Sequence, residues 1–118
     1  MRAAFVIFAI VTLTPCLACA QTINFSGRAS YYDQHYKGKT ASGEIYDAEK
    51  LTAAHRTLPF GTKLKVTDKR TQRTVIVVVN DRGPFTRNVV LDLSYAAAKS
   101  LNMIARGVVP IEAEPAAE

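Results

Sequence analysis

The stretch that most constrains the fold is Val75-Ile76-Val77-Val78-Val79, five β-branched residues in a row that run into Asn80-Asp81-Arg82-Gly83-Pro84-Phe85. Branching at Cβ favours extended backbone, and the unbroken apolar character predicts a strand covered on both faces. The run stops abruptly in a polar, charged turn, which delivers Asp81 to the rim of a core. Gly83-Pro84 forces a change of direction there, because proline fixes its own φ and pushes the preceding residue out of the helical region. Two readings of Asp81 stay open at this level. It is either a catalytic carboxyl held at a strand end or a turn aspartate that caps backbone amides while Arg82 points to solvent.

The chain has 118 residues, room for one domain. Residues 1–20 read as an export signal: Met1-Arg2 gives a positive start, Ala3 to Leu13 is apolar, and Ala18-Cys19-Ala20 has the small-x-small pattern of a cleavage site. A lipid-modified Cys19 is the competing reading, weakened because Cys16-Leu17-Ala18 lacks the usual aliphatic residue three positions upstream. Both cysteines, Cys16 and Cys19, lie in this segment, so the exported part is expected to have no disulfide and no thiol chemistry. Of the 15 Lys and Arg only Arg2 is lost with the leader, and against 10 Asp and Glu that leaves a formal +4. Such a balance favours anionic partners such as a cell wall or membrane surface. The basic residues are scattered, which argues against nucleic acid, and no transmembrane span is expected once the signal is removed. A small core without disulfides is most economically built as a closed barrel, which leaves few sheet edges unpaired.

Residues 24–32 read as a first strand in which Gly27 marks a bulge. Tyr31, Tyr32, Tyr36 and Tyr46 follow closely, and tyrosine combines a flat apolar face with a hydroxyl, a combination suited to stacking under a sugar or to packing at a core's rim. Asp33 to Lys50 shows no periodicity and predicts a long functional loop. Thr40-Ala41-Ser42-Gly43-Glu44 within it does not match a G-x-S-x-G nucleophile elbow, which excludes a serine hydrolase of that type; Glu44 alone is an ordinary solvated glutamate. His55, in Ala54-His55-Arg56, fits a residue that satisfies backbone groups better than a catalyst, with the orientation of a carboxylate as the second option. Thr62 to Thr67 alternates with Leu64 and Val66 inward and pairs with residues 73–79 as a hairpin. Residues 87–91 predict a further strand. Ser94 is placed to cap a helix from Tyr95 to Ala105, stopped by Gly107, and Asp92 just before it reads as a charge favoured at a helix N-terminus. Val108 to Ile111 closes the barrel, and 113–118 reads as a disordered tail. No metal-ligand cluster or phosphate loop stands out; His35 and His55 alone are poor grounds for zinc.

Taken in order, Gly27-Arg28-Ala29-Ser30-Tyr31-Tyr32, Thr40 to Glu44, Leu51 to Thr62, Asn80 to Phe85 and Asp92-Leu93-Ser94 resemble the successive blocks of the rare lipoprotein A (RlpA-like) family. The resemblance implies a six-stranded double-psi β-barrel with one short helix, spanning 21–112. It implies an exported endolytic lytic transglycosylase without cofactor or metal; as departures from the family, no C-terminal peptidoglycan-binding repeat of the kind many members carry is expected, and the weak lipid-attachment signal favours a protein free in the periplasm or secreted. Its substrate would be peptidoglycan glycan strands, cut between N-acetylmuramic acid and N-acetylglucosamine to leave 1,6-anhydro ends, with a preference for glycan stripped of stem peptides. Asp81 then matches the catalytic aspartate, Glu44 its acidic companion and His55 the histidine of the family's Ala-Ala-His block. Tyr31, Tyr32, Tyr46, Ser42 and Arg82 are the sugar-binding residues expected with them. A proton-donating Asp81 would need its pKa raised from about 3.9, so the Arg82 guanidinium is expected to turn away from it. Tyr31-Tyr32-Asp33 replaces the family's usual Trp-Tyr-Gly and reshapes the first loop. A non-catalytic wall-binding or wall-loosening module of expansin type is the alternative, separated from the enzyme by the paired acids alone.

Overall fold

Alternation decides which way each residue of this chain faces. Leu64 and Val66, Val75, Val77 and Val79, Leu91 and Leu93, and Val109, Ile111 and Ala113 are all buried, each two positions from the next. One set of side chains per strand therefore meets in a common interior, where each fully buried Val, Leu or Ile contributes about 1.5–3 kcal/mol. The structure, a computed structural model, describes residues 24–116. The segment expected to be an export signal, with Cys16 and Cys19, and the last two residues lie outside the described residues.

Among the described residues the strands are β1 (Phe25–Tyr31), β2 (Thr52–Ala54), β3 (Lys63–Asp68), β4 (Thr74–Asp81), β5 (Leu91–Leu93) and β6 (Val109–Pro115), with one helix, α1 (Tyr95–Ser100). They close in the order β1-β5-β2-β4-β3-β6. Two pairs, β1–β5 and β2–β4, are parallel, and the remaining contacts are antiparallel. This is the double-psi β-barrel expected from the resemblance. Ser94 caps α1 as predicted, its Oγ accepting from the Ala97 N–H at 3.2 Å.

Several boundaries differ from the sequence reading. Ile76 is 49% exposed, so the apolar run of β4 is covered on one face only. The strand expected at 87–91 lies at Leu91–Leu93 instead, and the Val89 N–H closes a turn onto the Thr86 carbonyl. Helix α1 stops at Ser100 rather than Ala105, because Asn102 adopts φ 56° and Leu101 and Met103 enter the core from a turn. The closing strand continues through Pro115, past the expected tail boundary, because Val109, Ile111 and Ala113 alternate inward while Leu64 pairs with Pro115. Gly27 marks no bulge: its pairing with Ile111 is regular, and its missing Cβ makes room for Val90, whose methyls would lie 2.8 Å from it.

One irregularity positions the site. Ala53 pairs with Val79, but the next residue of β2, Ala54, pairs with Asp81 rather than Asn80. Asn80 is the extra residue of a β-bulge. Unbroken alternation from Val75, Val77 and Val79 would aim Asp81 into the core; the inserted residue reverses that and aims it outward.

Away from the site, Asp68 is fully buried at the β3–β4 turn. Its Oδ1 accepts the Arg70 N–H at 2.8 Å, and its Oδ2 accepts an Arg106 Nη2–H at 2.6 Å. The same guanidinium nitrogen reaches the Leu101 and Asn102 carbonyls, so this pair ties the chain after α1 to the hairpin. Burial alone would raise the Asp68 pKa, but the Arg106 bond and charge and the turn amides hold it below the ordinary carboxylate range. Asp68→Ala is expected to cost about 3 kcal/mol in urea unfolding, the lower part of the range for a broken buried pair because Arg106 keeps some contact with water. A loss below about 1 kcal/mol would mean that the pair is not what joins the two segments.

Candidate active site

The bulge places Asp81 in a row with Ala54, Asp92 and Ser30, which are register partners across β4, β2, β5 and β1. Leu91 and Leu93, on either side of Asp92, are both in the core, so Asp92 faces outward as Asp81 does. Two carboxyls thus stand on the outer wall of the barrel on either side of an alanine. The long loop after β1 crosses this wall. Its Ala41 N–H donates to Asp81 Oδ1 at 2.7 Å, and the Arg82 N–H donates to the same oxygen at 2.8 Å. The other oxygen, Oδ2, accepts a short hydrogen bond from the Tyr32 hydroxyl. Asp81 is half-buried and held in one orientation by donors from three parts of the chain.

The neighbouring groups differ in proton affinity. Burial raises the Asp92 pKa above the usual carboxylate range; the Ser30 Oγ–H bond to its Oδ1 at 2.6 Å opposes this, and the charge of Asp81 reinforces it. Asp92 is therefore the group in this row disposed to keep a proton. The Tyr32 phenol is pushed far above its ordinary value, first by burial and then by its bond to Asp81, so it remains a donor across the accessible pH range. Asp92 lies just before the Ser94 cap of α1, as expected, and it is also the middle residue of β5, which puts it in the outward row. The Leu91-Asp92-Leu93 alternation was the signal that marked it as an outward strand residue.

Glu44 lies over the same end of β4. Its Oε1 accepts from Asn80 Nδ2 at 3.0 Å and from Ser42 Oγ at 3.4 Å, while the Ser42 N–H donates to the Asn80 carbonyl at 3.2 Å. The bulge residue therefore anchors the loop that carries Glu44 and Ser42, and both acidic residues share one side of the barrel. Tyr32 stacks on Tyr46 with centroids 4.4 Å apart, and Tyr36 leans on both rings at 5.4 Å.

Three expected site residues have other places. Tyr46 is 6% exposed, and its hydroxyl accepts the Tyr95 N–H at 2.9 Å, so it supports Tyr32 from behind and presents no face of its own. Tyr31 points the opposite way from Tyr32, as strand alternation requires; its hydroxyl donates to the Ile104 carbonyl at 2.7 Å and its ring packs against the core. His55 Nδ1 accepts the Thr57 and Leu58 N–H groups, both at 3.1 Å, and its ring lies 5.0 Å from that of Phe25. Among the described residues no hydrogen bond joins the imidazole to a carboxylate. Its contribution to Asp81 is through the backbone, the His55 N–H donating to the Asp81 carbonyl at 3.2 Å.

The Arg82 guanidinium lies over the Phe60 ring at 4.1 Å and donates to the His55 carbonyl at 3.2 Å, turned away from the Asp81 carboxyl as expected. These contacts engage it in holding β2 to β4.

A family model described as lytic transglycolase matches residues 24–113. The probable endolytic peptidoglycan transglycosylase RlpA of a Nostoc species is 47% identical over 108 residues, 89% of this chain and 29% of that protein. A protein of the same printed name from Aquifex aeolicus is 54% identical over 89 residues, 75% of this chain and 39% of its own length. The chain thus spans about a third of the curated relatives it matches. Among solved structures, the Streptomyces papain inhibitor superposes with a TM-score of 0.64 at 29% identity, covering 78% of this chain and 93% of that one. The Clavibacter michiganensis expansin gives the same TM-score at 24% identity, covering 81% of this chain and 52% of that one, a likeness of fold.

The His55 environment makes a pH prediction. Burial first, then the charges of Arg56 and Arg82, lowers the pKa of this ring below 6.5, in keeping with an Nδ1 that accepts two bonds. A folded-state pKa below the unfolded one contributes stability that is complete above about pH 6.5 and is lost as the pH falls below it. An NMR titration is expected to find His55 below 6.5, and the fall in melting temperature between about pH 7 and pH 5 is expected to be shallower in His55→Asn than in the parent. Equal slopes would remove His55 from the acid response.

Proposed function

The chain belongs to the lytic transglycolase family, and from that premise we propose that it cleaves the glycan strands of peptidoglycan between N-acetylmuramic acid and N-acetylglucosamine, leaving 1,6-anhydro ends. The observation that carries this reading is the outward row Asp81–Ala54–Asp92, in which one half-exposed carboxyl is pinned by three donors and a second keeps company with it across a single strand. A glycosidic oxygen is a poor leaving group and must be protonated as its bond to C1 breaks. The C6 hydroxyl of the muramic acid then closes on C1, and its proton passes to the carboxylate, so bonds and protons balance without water. Asp81 is the group placed to make both transfers. The Tyr32 hydroxyl fixes the direction of its carboxyl. Glu44 assists from the loop edge through its hold on Asn80.

The exposed ring of Tyr36 and the outer face of Tyr32, backed by Tyr46, supply an aromatic surface against which a sugar can lie. The preference for strands without stem peptides that the resemblance implies is part of the same reading, and the loop from Asp33 to Lys50, docked on Asp81 through Ala41, is the element that would impose it. Export by the leader at 1–20 would bring the chain to its substrate, in the periplasm or outside the cell.

The test is incubation of the purified protein with peptidoglycan, intact and amidase-treated, followed by mass spectrometry of the soluble products. Anhydro-muramic ends are expected, faster from the treated wall, with the rate lowered about 10²–10⁴-fold in Asp81→Asn, the usual span for removing a general acid–base. Reducing ends would point to hydrolysis instead. Sedimentation with the wall and no new ends would reduce the protein to a wall-binding module of expansin type. Tyr32→Phe is expected to lower the rate about tenfold, since one donor to the reacting carboxyl is worth about 1–1.5 kcal/mol; an unchanged rate would mean that the Tyr32 hydroxyl does not orient Asp81 during turnover.

A further inference from the structure

Phe85 is 80% exposed, more so than any other large hydrophobic side chain among the described residues. It lies four residues beyond Asp81, and its ring folds back on Gly83, where an added Cβ would meet it at 3.5 Å. The exposure is not that of a loose segment. Gly83 and Pro84 are buried, and the guanidinium of Arg56 holds the loop from beneath: Nε donates to the Pro84 carbonyl at 2.8 Å, and Nη2 donates to the Val89 carbonyl at 2.9 Å and to the Thr86 carbonyl at 3.4 Å. One arginine thus spends its donors on the carbonyls of the loop that displays this ring. On the same side the other exposed phenylalanine, Phe60, already carries the Arg82 guanidinium on its face. Phe85 has no such cover.

We propose that Phe85 is a sugar-contacting platform on the Gly83 side of Asp81, holding the glycan strand beyond the bond to be cut. The proposal rests on the glycan-strand reading above. Thr86, Arg87 and Asn88, the residues after Phe85, are exposed and polar. A single aromatic ring beside hydroxyl, guanidinium and amide groups matches a pyranose, which has an apolar C–H face and a polar edge; a protein partner would call for a wider apolar patch. Together with the Tyr32 and Tyr36 surface, such a ring would hold a strand at more than one sugar, the positioning that such a reaction needs.

The chain contains no tryptophan, so Phe85→Trp installs a single indole reporter at the ring in question. In an Asp81→Asn background, titration with soluble peptide-free glycan strands is expected to give a saturable blue shift of its emission. In the otherwise unaltered protein, Phe85→Ala is expected to weaken glycan binding about tenfold, about 1.4 kcal/mol, and to raise KM with kcat and melting temperature nearly unchanged; Phe85→Tyr is expected to restore it. Phe85→Ala that binds and cleaves like the parent overturns the proposal while leaving the glycan reading intact. A reporter silent to glycan that shifts as protein concentration rises assigns the ring to self-association and overturns it as well. If the parent itself fails to sediment with the wall or to bind soluble strands, the reading of the site fails, and this assignment with it.

Discussion

The site depends on a register shift of one residue. β4 is an alternating strand whose inward positions are Val75, Val77 and Val79, and strict continuation would bury the next odd position, Asp81, among them. An unpaired carboxylate there would cost several kcal/mol. The extra residue Asn80 reverses the parity, so that Asp81 lines up with Ala54 and Asp92 on the outside. The same residue is then put to use: its carbonyl and its side-chain amide hold Ser42 and Glu44, and so dock the loop that covers the carboxyl row. Bulge, loop and carboxylate orientation form one mechanical unit.

Arginines do much of the remaining positioning, and the Arg56, Arg82 and Arg106 guanidiniums all make their contacts away from the Asp81 carboxyl. Arg56 holds the β4–β5 loop by its carbonyls, Arg82 joins the ends of β2 and β4 while lying on Phe60, and Arg106 anchors the chain after α1 to the buried Asp68. Each guanidinium satisfies backbone carbonyls that irregular chain would otherwise leave unpaired. Loops packed on a small barrel have few ladder partners of their own, and the planar five-donor group is suited to supplying them.

Much of this barrel was legible in the residues, because its strands alternate and its turns carry the appropriate residue types. The β3–β4 hairpin, the Ser94 cap and the closed architecture all follow from local pattern or from the order of the motif blocks. The misreadings share one cause, that a locally plausible pattern was overruled by a distant contact. Leu101 and Ile104 prolonged the apparent helix, although Leu101 reaches the core from a turn. Glu114 and the alanines around it gave the end of the chain the look of a tail, although Ala113 is buried and Glu114 faces outward from the same strand. The bulge left no local sign, since nothing in Val79-Asn80-Asp81 states which residue will lack a partner. Asp92 stands two residues before the Ser94 cap, as its sequence suggests, and its place in the outward row shows only once β2 and β5 are paired; Tyr46 looks available beside its loop until the Tyr32 ring is found in front of it.

The row of outward residues also has a bearing on when the chain can act. Ser30 and Asp92 are 62 positions apart, and Tyr32 and Asp81 are 49 apart. Each partner is supplied by a different strand, and the strands that bring them together are joined through parallel pairs that short hairpins cannot form. No fragment of the barrel can therefore hold even a weakened version of the centre. An incompletely folded chain has all of the acidic groups and none of the geometry, so the arrangement of the centre arises with the closure of the sheet.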